Sequence, residues 1–186
     1  VFAPSGKIET DRLWLRVFTP ADFDELYDIR SRPVVNRYLY TEALSRVEVQ
    51  AKLDERIAKM SRLTAPGDSL MLAVVRKDTD AMIGDVVLNW LPGEHQQAEI
   101  GYVLHPDHYG QGFATEASRP LLRIAFEELK VHRVIGRIDG RNTASARVLT
   151  KLGMRQEAHF RENEFVKGEW TDEIVFAILA SEWRDG

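Results

Sequence analysis

Three apolar runs in close succession constrain this chain more than anything else in it. "SLMLAVVR" (69–76), "AMIGDVVLNW" (81–90) and "QAEIGYVL" (97–104) each read as a strand. The polar stretches "KDTD" and "LPGEHQ" between them read as turns, so the three runs make a meander. "DRLWLRVF" (11–18) alternates and adds a strand ahead of them. Thr19, Pro20 and Asp22 then open a helix to about Arg30: a hydroxyl cap, a proline where no donor is needed, and an acid near the positive end. Ser45 and Glu48 have capping-box spacing before a helix of about 46–62, with Val49, Leu53, Ile57 and Met60 on one face.

After the meander the pattern predicts a long helix from Gly112 to Leu129 and a buried strand from Val134 to Ile138. A helix of about 143–152 follows, between an Asn142 cap and Gly153, and then strands of about 156–161 and 169–179. Strands and helices mixed in this order on one sheet make an α/β (α+β) layout. Residues 1–186 form a single domain, with 1–7 as a flexible lead. Pro120 falls inside the long helix, where it cannot donate to the Glu116 carbonyl. Either the helix kinks there or its first turns are irregular.

Charge and composition exclude several function classes. The formal net charge of −4 argues against direct nucleic-acid binding. No apolar run approaches ~20 residues, so no membrane span is expected. There is no visible signal peptide, and Val1 reads as a processed or trimmed end. The absence of cysteine removes thiol nucleophiles and cysteine metal sites, and it fits a reducing, cytoplasmic setting; no metal is expected. Glu157, Glu162, Glu164, Glu169, Asp172 and Glu173 crowd the C-terminal region. They read either as a solvated face or as a rim that attracts a cationic substrate.

The meander runs into "HPDHYGQGFATEA" (105–117). Glycines at 110 and 112 let the backbone approach a ligand, and the helix start adds partial positive charge. A pyrophosphate is the natural occupant; a plain strand-to-helix turn is the alternative. The loop is not a nucleoside-triphosphate loop, which needs G-x-x-x-x-G-K-[ST]. Nor is it a dinucleotide fingerprint, whose third glycine would fall at Thr115.

This window resembles the acetyl-coenzyme A loop, [QR]-x-x-G-x-[GA], of the GCN5-related N-acetyltransferases. Tyr109-Gly110-Gln111-Gly112-Phe113-Ala114 matches both small positions and departs at Tyr109. An aromatic there is usual in the RimJ/RimL-like branch, which acetylates the N-termini of ribosomal proteins. "IETDRLWLR", "AEIGYVLHP", "GFATEA", "GRNTASARVLTKLGMRQEA" and "EWTDEIVFAIL" resemble the same branch in the same order. The resemblance implies a mostly antiparallel sheet of about seven strands flanked by about four helices, splayed at the cofactor strand. It implies acetyl-CoA as cosubstrate, held by residues 109–115, with the pantetheine arm along Tyr102, Val103 and Leu104. It gives the Leu104 amide an oxyanion-hole role. In "RNTAS" it places Asn142 on the cofactor arm and Ser145 near the sulfur, although the two also suffice as a helix cap. It suggests a homodimer.

A thioester needs a neutral amine to attack it. Reference pKa values are ~10.4 for a lysine-type amine and ~8 for an N-terminal one, so the first needs a base more than the second. No cysteine or Ser-His-Asp pattern offers an acyl-enzyme, so direct attack in a ternary complex is expected. Glu99, on the strand entering the loop, is the candidate base, directly or through water; a structural ion pair is the equal alternative. His105, before Pro106, is expected to shape the turn. Arg147 and Lys151 read as an exposed basic face or as phosphate partners, and Trp170 as a candidate wall of the acceptor cleft. The expected acceptor is the N-terminal α-amine of a protein. A small amine (aminoglycoside, amino-sugar, polyamine) is the alternative, and a non-catalytic acetyl-CoA-binding module is the rival class.

Overall fold

The computed structural model describes residues 1–184, so residues 185 and 186 of the single domain assigned to 1–186 lie outside the described residues. Eight strands form one mixed sheet: β1 (Ile8–Glu9), β2 (Leu13–Arg16), β3 (Ser69–Arg76), β4 (Met82–Trp90), β5 (Gln97–Leu104), β6 (Arg133–Asp139), β7 (Arg155–Val166) and β8 (Glu169–Leu179). Their spatial order is β1-β2-β3-β4-β5-β6-β8-β7. Every neighbouring pair is antiparallel except β5 and β6. Five α-helices accompany the sheet: α1 (Phe23–Arg30), α2 (Pro33–Asn36), α3 (Arg46–Lys59), α4 (Phe113–Arg123) and α5 (Thr143–Lys151).

The extra strand and helix are β1 and α2. Two residues and one turn respectively are too short for periodicity to reveal. The capping box at α3 is present: the Ser45 N–H donates to Glu48 Oε2 at 2.8 Å and the Glu48 N–H donates to Ser45 Oγ at 3.3 Å. β7 runs past the expected 161 to Val166, with register breaks at 156–158 and 160–164. It is an edge strand with exposed residues on both faces, so it carries no alternation to read. The first turns of α4 are regular despite Pro120. The irregularity follows instead, as a wider π turn over Ile124–Glu128, where Leu129 N–H reaches Ile124 O at 3.0 Å. That turn puts Ile124, Ala125 and Phe126 all into the core. The N-terminal lead is tied at one point, where Phe2 and Leu63 exchange backbone hydrogen bonds of 2.8 Å.

The sheet has an apolar core on each face. One packs α4 and α5 through Leu121, Leu122, Phe126 and Leu149; the other packs α1 and α3 through Leu26, Ile29, Val49 and Leu53. A buried charge cluster pins the second layer. Asp85 of β4, 2% exposed, accepts from Arg30 of α1 at 2.7 Å and from Arg56 of α3 at 3.2 Å. The Arg56 guanidinium also lies 4.8 Å from the Phe18 ring centroid. Burial alone would push the Asp85 carboxyl up, but the two guanidiniums outweigh it and hold it below the usual carboxylate range. The stabilisation this gives is present above the unfolded value of ~3.9 and is lost as pH falls through the depressed folded value. Asp85→Ala leaves two arginines facing a buried void, and it is expected to cost about 3–5 kcal/mol in urea denaturation at pH 7. A cost under ~1 kcal/mol would mean that the cluster does not hold the layer.

Candidate active site

The site begins where β5 and β6 part. β5 stays paired with β4 from Ala98 to Leu104, but it meets β6 only at Gln97–Glu99 against Arg133–Ile135. Beyond Ile135, β6 keeps only its pairing with β8, which runs along the whole strand from Arg133 to Asp139. α5 packs hard on β6 there: a Cβ at Gly136 would lie 2.8 Å from Leu149 Cδ2. The orientation of the open edge follows from one bond. His105 N–H donates to Ile83 O at 2.8 Å, so in an antiparallel ladder the odd residues of β5 bond to β4. The backbone groups of Ile100, Tyr102 and Leu104 therefore face the gap. Those of Val103 face Asp85 on β4, so Val103 lines the gap without offering it a backbone pair; the expectation that Val103 pairs with a bound arm through its backbone is corrected on this point.

At the end of β5 the chain turns on His105, whose Nδ1 accepts from Asp107 N–H at 3.1 Å and whose Nε2 lies 3.1 Å from Asp28. Gly110 and Gly112 both adopt left-handed backbone, with φ of 73° and 82°. No acceptor among the described residues takes the backbone N–H of Gly110, Gln111, Gly112, Phe113, Ala114 or Thr115. These donors lie consecutively at the N-terminus of α4, where the helix dipole adds positive charge. Phe113 is buried, Tyr109 is half-exposed, and burial pushes the Tyr109 phenol up.

From the gap a cavity of about 310 Å³ extends toward β7 and β8. Tyr102, Asn142 and Ser145 line one end, and Tyr40, Glu164 and Glu173 line the other. Asn142 Oδ1 accepts from Ser145 N–H at 3.1 Å, so the cap is present. The Tyr102 hydroxyl lies 2.7 Å from Ser145 Oγ and 3.0 Å from Ser145 O, spanning from β5 to α5. Burial pushes the Tyr102 phenol up to about 12, against the opposing hydrogen bond from Ser145. The α2–α3 segment roofs the far end. Tyr40 Oη donates to Glu164 Oε1 at 2.6 Å, and Lys167 Nζ donates to Asn36 O.

A family model described as an acetyltransferase (GNAT) domain matches residues 12–155. The chain belongs to the GNAT acetyltransferase family. An uncharacterised N-acetyltransferase of Bacillus subtilis, YnaD, is 32% identical over 178 residues, covering 95% of this chain and 99% of that one. A GNAT-family acetyltransferase structure from Bacillus anthracis superposes with a TM-score of 0.84 at 29% identity, over 95% of this chain and 99% of that one. More distant relatives differ in acceptor. The ribosomal protein uS5-alanine N-acetyltransferase of Escherichia coli is 21% identical over 98% of this chain and 95% of its own length. A spermidine N(1)-acetyltransferase of Vibrio cholerae is 27% identical over 59% of this chain and 64% of its own.

Within this GNAT site the expected residues fall into separate groups. Tyr102, Val103, Asn142 and Ser145 line the cavity, Leu104 closes β5, and 109–115 form the loop beyond it. Glu99 is in the ion pair that was the alternative to its role as base. Arg137 Nε and Nη2 donate to its two oxygens at 3.1 and 2.9 Å. Arg137 also comes within 3.9 Å of Glu173, which is 7% exposed. Burial and then the neighbouring Glu164 push the Glu173 carboxyl up. Glu164, Glu173 and Tyr40 were not singled out in the sequence. The two acids were counted in a late acidic rim, and only the in–out alternation of β8 through Thr171 and Glu173 could have turned one of them inward. Trp170 is corrected: Glu169 and Thr171 line the cavity, and Trp170, 61% exposed, lies outside it against Phe165, with ring centroids 5.2 Å apart and the planes tilted by 60°. Arg147 and Lys151 are exposed on α5. Among the described residues, no group of His, Cys, Asp or Glu is arranged to hold a metal ion.

The raised Glu173 carboxyl has a stability signature. A group whose folded pKa lies above its unfolded value of ~4.3 favours folding at low pH and loses that contribution as pH rises. Glu173→Gln is therefore expected to be more stable than the parent at pH 8 and equal to it near pH 4, by urea midpoint. A gain that does not change with pH would exclude ionisation as its source.

Proposed function

We propose that this GNAT enzyme transfers the acetyl group of acetyl-CoA directly to the N-terminal α-amine of a protein, such as a ribosomal protein. The observation that carries the reading is the run of six unpaired backbone N–H groups at 110–115, next to an open strand edge that leads to Tyr102, Ser145 and a cavity. The N–H groups suit a pyrophosphate, and the open edge of Tyr102 and Leu104 suits an extended arm with amides of its own. The cosubstrate supplies an activated acetyl group on a thiol of pKa ~8.5, which leaves without a strong acid.

This chain's residues divide the remaining work. The Leu104 N–H points into the gap, where it stabilises negative charge on an acyl oxygen. With the Tyr102 hydroxyl as donor to Ser145, the single Ser145 Oγ proton is left free to be donated at the sulfur's place. The acceptor amine enters from the cavity and gives up its proton to the carboxylates around Arg137. Glu99 is the first-named base from its place on β5. Its bidentate pairing with Arg137 makes it the held member, and Glu173, buried and raised, is the member able to take a proton. The Tyr109 departure supports the RimJ/RimL-like branch, as does the relative that acts on ribosomal protein uS5. The relative that acts on spermidine supports a small polyamine as the second reading, with Glu164 and Glu173 as its cation-facing wall. A cytoplasmic, homodimeric protein fits this reading.

The deciding measurement is a screen of acetyl-CoA consumption against short peptides with free N-termini, polyamines and aminoglycosides. Peptides are expected to turn over best. Preference for spermidine would select the second reading, and cofactor binding without turnover of any amine would leave a binding module. Gly112→Val, forced into left-handed backbone, is expected to abolish CoA binding while the fold survives. Glu173→Gln is expected to lower kcat/KM by about 10²–10⁴ at neutral pH, and Glu99→Gln by less. Wild-type turnover in both variants would remove the carboxylates from the chemistry.

A further inference from the structure

The cofactor loop is held from behind by residues far away in the chain. Glu116, in the first turn of α4, spends its whole carboxylate on the corner between β1 and β2. Its Oε1 accepts from Thr10 Oγ1 and from Arg12 N–H, both at 2.7 Å, and its Oε2 accepts from Arg12 Nε at 2.7 Å. Burial raises the Glu116 carboxyl, but these donors outweigh it and keep it below its ordinary range. Arg12 is then fixed on further sides: its guanidinium lies 4.2 Å from the Phe113 ring centroid, and its Nη1 donates to Gln111 O at 3.0 Å.

That last bond has a geometric consequence. In a trans peptide the carbonyl and the following N–H point in opposite directions. With the Gln111 carbonyl drawn onto Arg12, the N–H of Gly112 must point away from Arg12, out of the opposite side of the loop. A Cβ at Gly112 would lie 3.5 Å from Arg12 Nη2, so the arginine sits close behind the loop. We propose that Thr10, Arg12 and Glu116 form a brace that aims the loop's N–H groups at the cofactor's phosphates. Arg12 and Glu116 are thus positioning residues and not phosphate ligands. The brace also removes an electrostatic conflict. Glu116 stands one turn from the place of two phosphates, and Arg12 cancels its charge there.

This inference rests on the proposed reading of the loop as a pyrophosphate site, and the test separates the two. Steady-state kinetics would be measured with acetyl-CoA and with S-acetylpantetheine, which has the same thioester and arm but no pyrophosphate. In Glu116→Gln the amide turns a donor toward Arg12 Nε. The acetyl-CoA KM is expected to rise about tenfold, the scale of a lost charge-assisted hydrogen bond. kcat and the S-acetylpantetheine KM should stay within about twofold of the parent. Thr10→Val removes one of the three bonds to Glu116, along with the local Thr10–Leu13 bonds, and is the milder check if Glu116→Gln folds poorly; it should shift the acetyl-CoA KM in the same direction. An equal rise for both donors would mean general damage and would overturn the brace, as would no change for either. If the parent enzyme itself used both donors equally well, the pyrophosphate reading of the loop would fail first.

Discussion

Everything at this site depends on how short the contact between β5 and β6 is. Three residues on each strand join two antiparallel blocks, β1 to β5 on one side and β6, β8 and β7 on the other. Had the pairing continued, the backbone groups of Tyr102 and Leu104 would be consumed within the sheet. Because it stops, they face a partly enclosed gap, where an unpaired polar group costs about 1–3 kcal/mol. In the proposed reading a ligand with strand-like amides meets that need, with its far end at the Tyr102–Ser145 pair. Fold and function therefore share one cause.

The charges around the gap are arranged with equal economy. Asp85 is matched by Arg30 and Arg56, Glu116 by Arg12, Glu99 by Arg137 and Asp139 by Arg141. Glu173, on the cavity wall beside Glu164, has only the 3.9 Å approach of an Arg137 already paired to Glu99, and its burial and then Glu164 make it harder to ionise. At the opposite end, the loop into α4 presents backbone N–H groups that have no acceptor among the described residues. Fixed dipoles there need no reorganisation when a ligand arrives.

Much of this was legible in the sequence, and the reasons differ by element. The meander, the Ser45 cap and the Asn142 cap were readable because alternation, capping chemistry and glycine placement are local signals. The loop was readable because two left-handed positions demand glycine. β1 and α2 were not, since neither is long enough to show a period. The length of β7 was hidden by its position at the sheet edge, where both faces are wet. The polar residues of the site were the hardest. Glu99 stands at the end of the β5–β6 pairing, next to the gap, but its partner Arg137 is 38 residues away on another strand. The Thr10–Arg12–Glu116 contacts span more than one hundred residues. Pairings of that kind are set by topology and not by spacing.

The two blocks of the sheet also touch at the roof, through Tyr40 to Glu164 and Lys167 to Asn36. The molecule is therefore closed twice around its cavity, once by strands and once by side chains, and the two closures differ in strength. Beneath the gap, the strand contact is continuous with a core that includes Ala98, Ile100 and Val134. The roof rests on two side-chain hydrogen bonds, one exposed and one part-buried, each to a charged group and worth about 1.5–3 kcal/mol. The roof is thus the more lightly held of the two closures, and it stands apart from the strand geometry at Leu104 and from Ser145 on α5.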